Sequence, residues 1–543
     1  MKLIGKKFIA NYFSTDHGYT WSKKHRSKKK LNAMKRTYRY ATILAFLTAL
    51  ILIPVITFFP ASAQVSVDSS SDSDSSVVQL ITTENPTEPT EPTASISYSP
   101  DGRGYLKTIG PGKYLLHVEG SAYQMGYQHG YLLAEGVSEM ASYDTFKQII
   151  LGFVGLDIDE ARDLLEDFIS KGVVKDLLGW LISSSTIDWL FNTLDDILDI
   201  LIEIIKIILA YNDGYVPSEF LTEMQGIADG ATAAGHPVDY EQVLLLNMGF
   251  DAILGFVYPI ITPLLPILEL LGFHMCDGFV ARDHATTDGR TIMGRNFMFN
   301  PVGFKDNGLL IEQDPDSGYK FVSVAAPAFV GAVAAMNEMG IGVGCDMVPA
   351  IDCTPGSFGM GVLLTCRKIA QYGNEWDSAR NIVKYSKRGV SWLYLIGDGR
   401  SYKKGGVVLE TSAHYCYERR IDYTKPWYIP NPWYSQIEKK DDLLIVANHM
   451  IRPEANLLCG SYGISDSRWR YETLTNLALN AYGNIDVAKG RDLVDYLHPP
   501  AYNYYDGPAD QPVGASRTCF DLTNLQLWAL YGYYDDPWAY HAL

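Results

Sequence analysis

At position 276 the texture of the chain changes, and that change constrains the fold more than any other feature. From about Ser121 to Ala234 the pattern is mainly helical. Asp188 to Tyr211 is the clearest stretch, with Asp195, Asp196, Asp199, Glu203 and Lys206 forming a polar stripe between Leu and Ile. After 276, short runs of Val, Ile, Tyr and Gly alternate with turns. The first two runs, 276–281 and 291–296, flank Thr287-Asp288-Gly289 and predict a β-hairpin with Cys276 at its head. Further strands are expected at 320–324 and 443–446, and helices near 361–371, 378–385 and 466–480. A helical first part and a sheet-rich second part make an α+β arrangement. No internal repeat is present.

At 543 residues, 47% hydrophobic and 20% charged, the chain has the length and composition to bury a large core. The charge is uneven. Residues 1–40 hold twelve Lys/Arg against Asp16 alone, about +11, so a net −17 leaves about −28 on the remainder. An acidic body of that size argues against a nucleic acid partner. The basic head precedes the apolar stretch 41–59, interrupted only by Thr residues and Pro54, and Ala61-Ser62-Ala63 follows. This order predicts a cytoplasmic basic segment (1–40), a signal peptide or signal anchor (41–63) and export of the rest to the cell surface or beyond. Residues 64–99, rich in Ser, Asp, Thr, Glu and Pro, read as an extended spacer. The globular part then divides into a helical portion, 100–275, and a sheet-rich portion, 276–543.

All seven cysteines lie at or after 276, and the odd count leaves at least one thiol unpaired within a chain. Cys276 with up to three disulfides, and seven free thiols, both fit. No Cys-x-x-Cys pair is present, which argues against structural zinc. If the Met275–Cys276 bond is cut, Cys276 becomes an N-terminus carrying both a thiol and an α-amine. That amine, with an ordinary pKa of about 8, can serve as base for its own thiol.

Six stretches, spread in order over residues 105–540, resemble the penicillin acyltransferase-like (isopenicillin N acyltransferase) family of self-cleaving N-terminal-nucleophile hydrolases, and more distantly the choloylglycine hydrolases. They are Gly120-Ser121-Ala122-Tyr123-Gln124-Met125-Gly126-Tyr127-Gln128-His129-Gly130; 223–230 with Asn247 and Asp251; the Cys276 hairpin ending in Gly294-Arg295-Asn296; 336–342; Val446-Ala447-Asn448-His449 with Ser467-Arg468-Trp469-Arg470; and Phe520-Asp521-Leu522-Thr523. The resemblance implies a four-layer αββα sandwich of two antiparallel sheets between helices, preceded by a helical amino-terminal portion. It implies self-cleavage before Cys276, attack of Cys276 on a linear amide, and release of the acyl group to water or an amine. The two pieces stay associated, and no metal or organic cofactor takes part. On the matching positions it implies catalytic roles for Cys276, Asn448 as oxyanion donor, and Arg468, or Arg470 in a shifted register. Arg295, Asn296, Arg470 and Asp277 are expected to border the substrate.

Two positions depart from the family pattern. Met298 stands where many relatives carry an Asp that holds the nucleophile's amine, and Met347, beside Asp346, replaces a second oxyanion asparagine; Asp277 or Asp346 are the substitutes to hand. Two other readings stay open. One is a Cys-His amidase that uses His449 without self-cleavage, and the other an inactive surface-anchored binding module. The apolar stretch 253–273, interrupted by Pro259, Pro263 and Pro266, either lines a substrate cleft or packs in the core. The substrate is expected to be a small-molecule or peptide amide. Its identity is left open.

Overall fold

The computed structural model describes residues 95–152, 184–262, 276–298, 308–400, 405–420, 440, 442–461, 465–496, 516–531 and 537–543. The basic head, the apolar stretch 41–59, the Ala-Ser-Ala site, the spacer up to 94, and Met275 lie outside the described residues.

The described chain is a mixed helix-and-sheet protein. A ten-stranded sheet runs in sequence order through β1 (Ile96–Tyr98), β2 (Tyr105–Gly110), β3 (Lys113–Gly120), β6 (Gly308–Pro315), β7 (Phe321–Ala325), β8 (Ala334–Asn337), β9 (Ile341–Met347), β10 (Trp392–Asp398), β11 (Gly406–Thr411) and β12 (Cys416–Arg420). A six-stranded sheet has the order β13 (Leu443–Ala447), β4 (Asp277–Asp283), β5 (Gly289–Phe297), β14 (Ser516–Asp521), β15 (Gln526–Tyr531), β16 (Ala539–Ala542). The smaller sheet is antiparallel throughout. The larger contains one parallel pair, β3 with β6, so it departs from the purely antiparallel sheet expected.

The hairpin headed by Cys276 forms as the alternation predicts, with Gly289 at φ 81 closing its turn. Both faces of the smaller sheet are buried. Phe279, Ala281, Ile292 and Ile445 pack with Leu474 and Ala478 of α10 (Ser465–Asn480) and with Leu493 and Val494 at the end of α11 (Val487–Val494). The alternate residues Val280, Met293, Leu444 and Val446 join the main core. There the smaller sheet meets β9 and β10, and glycines make the space: a Cβ at Gly342 or Gly397 would lie 2.7 or 2.6 Å from the Leu522 side chain.

The portion before Cys276 is not wholly helical. Tyr105–Gly110 and Lys113–Gly120 alternate across the Pro111-Gly112 turn and enter the large sheet, so its core spans the 275/276 boundary. Helices follow: α1 (Ala122–Leu132), α2 (Ala134–Met140), α3 (Tyr143–Gly152), α4 (Ser184–Asn212), α5 (Ser218–Ala233) and α6 (Tyr240–Ile261). In α4 the predicted stripe is outward, with Asp195, Asp199 and Glu203 exposed, and Leu198, Ile202, Ile205 and Leu209 buried.

α1 and α5 pack backbone to backbone. A Cβ at Gly126 would lie 2.0 Å from the Glu223 carbonyl oxygen, at Gly130 2.0 Å from that of Ile227, at Gly226 2.4 Å from that of Tyr123 and at Gly230 2.2 Å from that of Tyr127. The glycine spacing shared by the first two motifs is thus a reciprocal packing code between these helices. Tyr240–Pro259 is long and apolar enough to cross a membrane, yet 72% of it is buried by the rest of the protein, as in a core helix. Of the stretch 253–273, the described part continues α6 into the core, with Ile253, Leu254 and Tyr258 buried; the rest lies outside the described residues.

The later helices α7 (Val362–Tyr372) and α8 (Trp376–Tyr385) also match expectation. Two short ones, α9 (Pro453–Cys459) and α11, were not foreseen, since seven or eight residues carry too few repeats to show a period.

Candidate functional site

The site is built where β4 begins. The ladder pairs Asp277 with Ala447 on one side and with Asn296 on the other. One step further along, Cys276 lies between Asn448 and Phe297. α10 covers this corner from one side and β9 faces it from the other sheet.

Arg470 joins the pieces. Its Nη1 donates to the Cys276 carbonyl oxygen at 2.7 Å and to Asp277 Oδ2 at 3.3 Å. Nη2 donates to Asn448 Oδ1 at 2.9 Å, and Nε to Asp466 Oδ2 at 2.9 Å. The planar guanidinium therefore sets the backbone of Cys276 and the side chain of Asn448 together, which an ammonium could not do. Asn448 Nδ2 donates one hydrogen to the Met347 carbonyl at 2.7 Å. Tyr496, which follows α11, donates its hydroxyl to Asp277 Oδ2 at 2.9 Å.

A second guanidinium approaches from β5. The Arg295 side chain runs across β9, where a Cβ at Gly344 would lie 2.8 Å from its Cδ, so that glycine makes its room. Nη1 donates to the Asn296 carbonyl and, at 3.3 Å, to that of Asp277; Nη2 donates to the Cys345 carbonyl. Arg295 Nη1 also stands 3.3 Å from Asp346 Oδ1, both side chains being fully buried. Burial pushes the Asp346 carboxyl up to about 6 against the pull of Arg295. Burial likewise pushes the Cys276 thiol up to about 11, opposed by Arg295 and reinforced by Asp346. In the continuous chain the thiol is therefore protonated at neutral pH.

Unpaired polar atoms gather here. Among the described residues Asp346 Oδ1 and Oδ2, Asp277 Oδ1, Arg295 Nε and Asn296 Nδ2 are buried and lack a hydrogen-bond partner. A folded interior pairs nearly all such atoms with protein groups or ordered water, so this cluster around one cysteine has open hydrogen-bonding capacity.

Of the residues singled out from sequence, Cys276, Asp277, Arg295, Asn296, Asn448 and Arg470 come together. Arg468 is only half-buried, on the same helix two positions away from Arg470. That is about 200° around the axis, and the contacts to Cys276, Asp277 and Asn448 are made by Arg470 instead. His449 is buried with Nδ1 2.7 Å from Ser467 Oγ and its ring edge-on to Tyr471. Asn337 shapes the β8–β9 turn, accepting from Met339 and Ile341 and donating to the end of α7. Met298 is buried among the apolar residues under α10 and α11. All seven cysteines are described and none is bonded to another. Among the described residues no group of His, Cys, Asp and Glu is placed to hold a metal.

Beside this corner lies a narrow apolar pocket with a cavity volume of about 40 Å³. Phe146, Leu246, Phe250, Phe297, Phe329 and Trp392 line it, with Cys345 and Met347 on the side of Arg295 and Asn448. The polar residues of α6 hold its walls. Asn247 Oδ1 accepts from Val330 and Gly331, and its Nδ2 donates to Ala328, fixing the segment that carries Phe329. One turn later Asp251 accepts from Trp392 Nε1 at 2.9 Å and from the Val362 amide at 3.0 Å. Sequence reasoning marked both residues only as motif positions. Their i, i+4 spacing on an apolar helix was the available signal.

A protein of Archaeoglobus fulgidus, described as an uncharacterized protein, is 51% identical over 444 residues, which are 82% of this chain and 68% of that one. No family model matches the chain. Solved structures resemble it faintly. A Caenorhabditis elegans N-acylethanolamine-hydrolyzing acid amidase ortholog has TM-score 0.32 and 12% identity, over 46% of this chain and 93% of that one. Penicillin V acylase from Agrobacterium tumefaciens has TM-score 0.31 and 13% identity, over 47% and 83%. A mutant of conjugated bile acid hydrolase from Clostridium perfringens has 0.29 and 12%, over 50% and 92%. At these values the similarity carries no argument about chemistry, which has to come from the site.

Proposed function

The chain belongs to the same family as the Archaeoglobus fulgidus protein, and from its own site we propose that it is a self-cleaving N-terminal-nucleophile amidase. Cys276 attacks the preceding carbonyl carbon, its thiol proton passing to the departing nitrogen of Cys276. Water then hydrolyses the resulting ester of the thiol, leaving the Met275 carboxylate and a Cys276 with free thiol and amine. The mature thiol gives its proton to that amine and attacks a linear amide; the amine protonates the leaving nitrogen. Water, or an amine acceptor, releases the acyl group from the thioester.

The observation that carries this reading is the gathering of Arg470, Asn448 and Arg295 around a cysteine immediately before a buried strand. The second Nδ2 hydrogen of Asn448 is the donor offered to the tetrahedral oxyanion. The adjoining apolar pocket suits an apolar acyl group. His449 Nδ1 is engaged by Ser467, which leaves Nε2 as the nitrogen that a Cys-His reading requires.

The reading extends to the layers. α7 and α8 outside the large sheet, and α10 and α11 outside the small one, fit the αββα order. Strands on both sides of the 275/276 bond share the large sheet, so the two pieces remain associated. Export, with the segment 41–63 as signal or anchor, belongs to the same proposal and is tested by locating the mature protein in cell fractions.

Intact mass of the wild-type chain and its Cys276→Ala variant decides the core of the proposal. Two fragments meeting between Met275 and Cys276, and an uncut variant, are expected. A wild-type chain that folds and stays in one piece would sink it.

A further inference from the structure

Around Cys276 two fully buried guanidiniums, Arg295 and Arg470, face two fully buried carboxylates, Asp277 and Asp346, with the partly exposed Asp466 behind Arg470. Asp466 and Asp277 each accept hydrogen bonds from Arg470, and Asp277 a further one from Tyr496. Asp346 accepts none. Both its oxygens are buried without a hydrogen bond, and Arg295, whose Nη1 stands 3.3 Å from Oδ1, directs its hydrogen bonds to backbone carbonyls. A fully buried carboxylate with no donor is expensive to maintain, and native proteins pair such groups.

The missing donor has a natural source on the self-cleavage reading, on which this inference rests. Cutting the Met275–Cys276 bond turns a neutral amide nitrogen into an ammonium with three N–H donors and one positive charge. The released carboxyl group supplies the proton, so the reaction balances as amide plus water to carboxylate plus ammonium. It places a cation on Cys276 itself, while the matching anion is the new carboxylate at the end of the other piece, on Met275. Arg295 already links the two ends of the arrangement, since its Nη1 donates to the carbonyl of Asp277, next to Cys276, and stands 3.3 Å from Asp346 Oδ1.

We propose that Asp346 is the seat of the Cys276 α-ammonium, a positioning residue whose partner exists only after cleavage. Asp277 is the other carboxylate at hand, but Arg470 and Tyr496 already engage its Oδ2, which leaves only Oδ1 open against both oxygens of Asp346. An ammonium held by Asp346 beside the thiol lowers the thiol's proton affinity and returns the proton to the leaving group. It also accounts for Met298 being an apolar core residue: the carboxylate is delivered from β9 and not from the end of β5.

The test follows the full-length, self-cleaved protein by NMR with isotopically enriched cysteine, the Cys276 resonances being assigned by their loss in Cys276→Ala. In wild type the Cys276 amine should titrate above the ordinary value of about 8, by about one pH unit or more. Asp346→Asn should lower that titration by about one pH unit or more, while Asp277→Asn leaves it higher than Asp346→Asn does. An amine that titrates alike in wild type and Asp346→Asn, in proteins shown by mass to be cut, overturns the inference and leaves the amidase reading standing. So does a wild-type amine titrating at or below about 8. If Asp346→Asn does not fold, Asp346→Glu keeps a charge opposite Arg295 and moves the carboxylate by one methylene. It should shift the titration, and an unchanged value overturns the proposal. A wild-type chain that is never cut overturns both readings, and intact mass shows which has failed.

Discussion

Two buried arginine–carboxylate sites in this protein differ in how completely they are paired. Between the helical portion and the large sheet, Arg367 donates to Glu223 Oε1 and Oε2 at 3.1 and 2.9 Å, to Gln371 at 3.1 Å and to the Val330 carbonyl at 3.2 Å. Gln313 adds a donor to Glu223, and Phe321 lies under the guanidinium at 4.6 Å. Both carboxylate oxygens are satisfied, and Gln313 Oε1 is the unpaired atom at this site. At the Cys276 corner the carboxylate of Asp346 is bare, and Arg295 Nε and Asn296 Nδ2 are unpaired. Saturation fits a site that holds two elements together. Incomplete pairing fits a site that receives other groups, because binding them then completes the hydrogen bonds.

That contrast can be broken by mutation. Glu223→Gln strips Arg367 of its counter-charge and should destabilise the fold by about 3–5 kcal/mol in urea unfolding. The Cys276 reaction per folded molecule should be unchanged; a slowed reaction would mean that the two sites are coupled. Arg470→Lys should have the converse effect. An ammonium cannot hold Cys276, Asn448 and Asp466 at once, so self-cleavage followed by mass should slow by about 10²–10³. A rate within a few-fold of wild type would remove Arg470 from the assembly of the site.

The smallest effect concerns pH. Burial raises the Asp251 carboxyl to about 6, so the folded state holds its proton more tightly than the unfolded chain does. A raised carboxyl lends stability at low pH that is lost as pH climbs from about 4 through about 6, here on the order of 3 kcal/mol. Asp251→Asn has no such titration. Its stability deficit against wild type should therefore shrink over that interval, measured by thermal unfolding in the uncut Cys276→Ala background. A deficit independent of pH would show that Asp251 is ionised throughout.

The hairpin and the α7, α8 and α10 helices were legible because each is a local pattern: alternation about an Asp-Gly turn, or apolar residues at helical spacing. The strands β1–β3 were harder to see. Their role depends on β6, nearly 200 residues later in sequence, and no local signal records that partner. The glycines of the first two motifs were visible as a spacing, yet their purpose appears only when α1 and α5 lie backbone to backbone.

For the site, local pattern located a cysteine at the head of a hairpin, because residue types and strand ends are written locally. Asn448 and the three arginines, Arg295, Arg468 and Arg470, were marked by the family resemblance. Which arginine reaches the cysteine was decided by the rotation of α10 against the small sheet, set by packing of Leu474 and Ala478 and not by the motif. The apolar pocket likewise exists only where α6, β9 and the Phe329 segment converge. That Asp346 lacks a hydrogen bond at both oxygens, while Asp277 is held at one, was decided by tertiary structure alone. Charge pairing in a buried site depends on distances of a few ångströms between residues tens to hundreds of positions apart, and sequence spacing does not encode those distances.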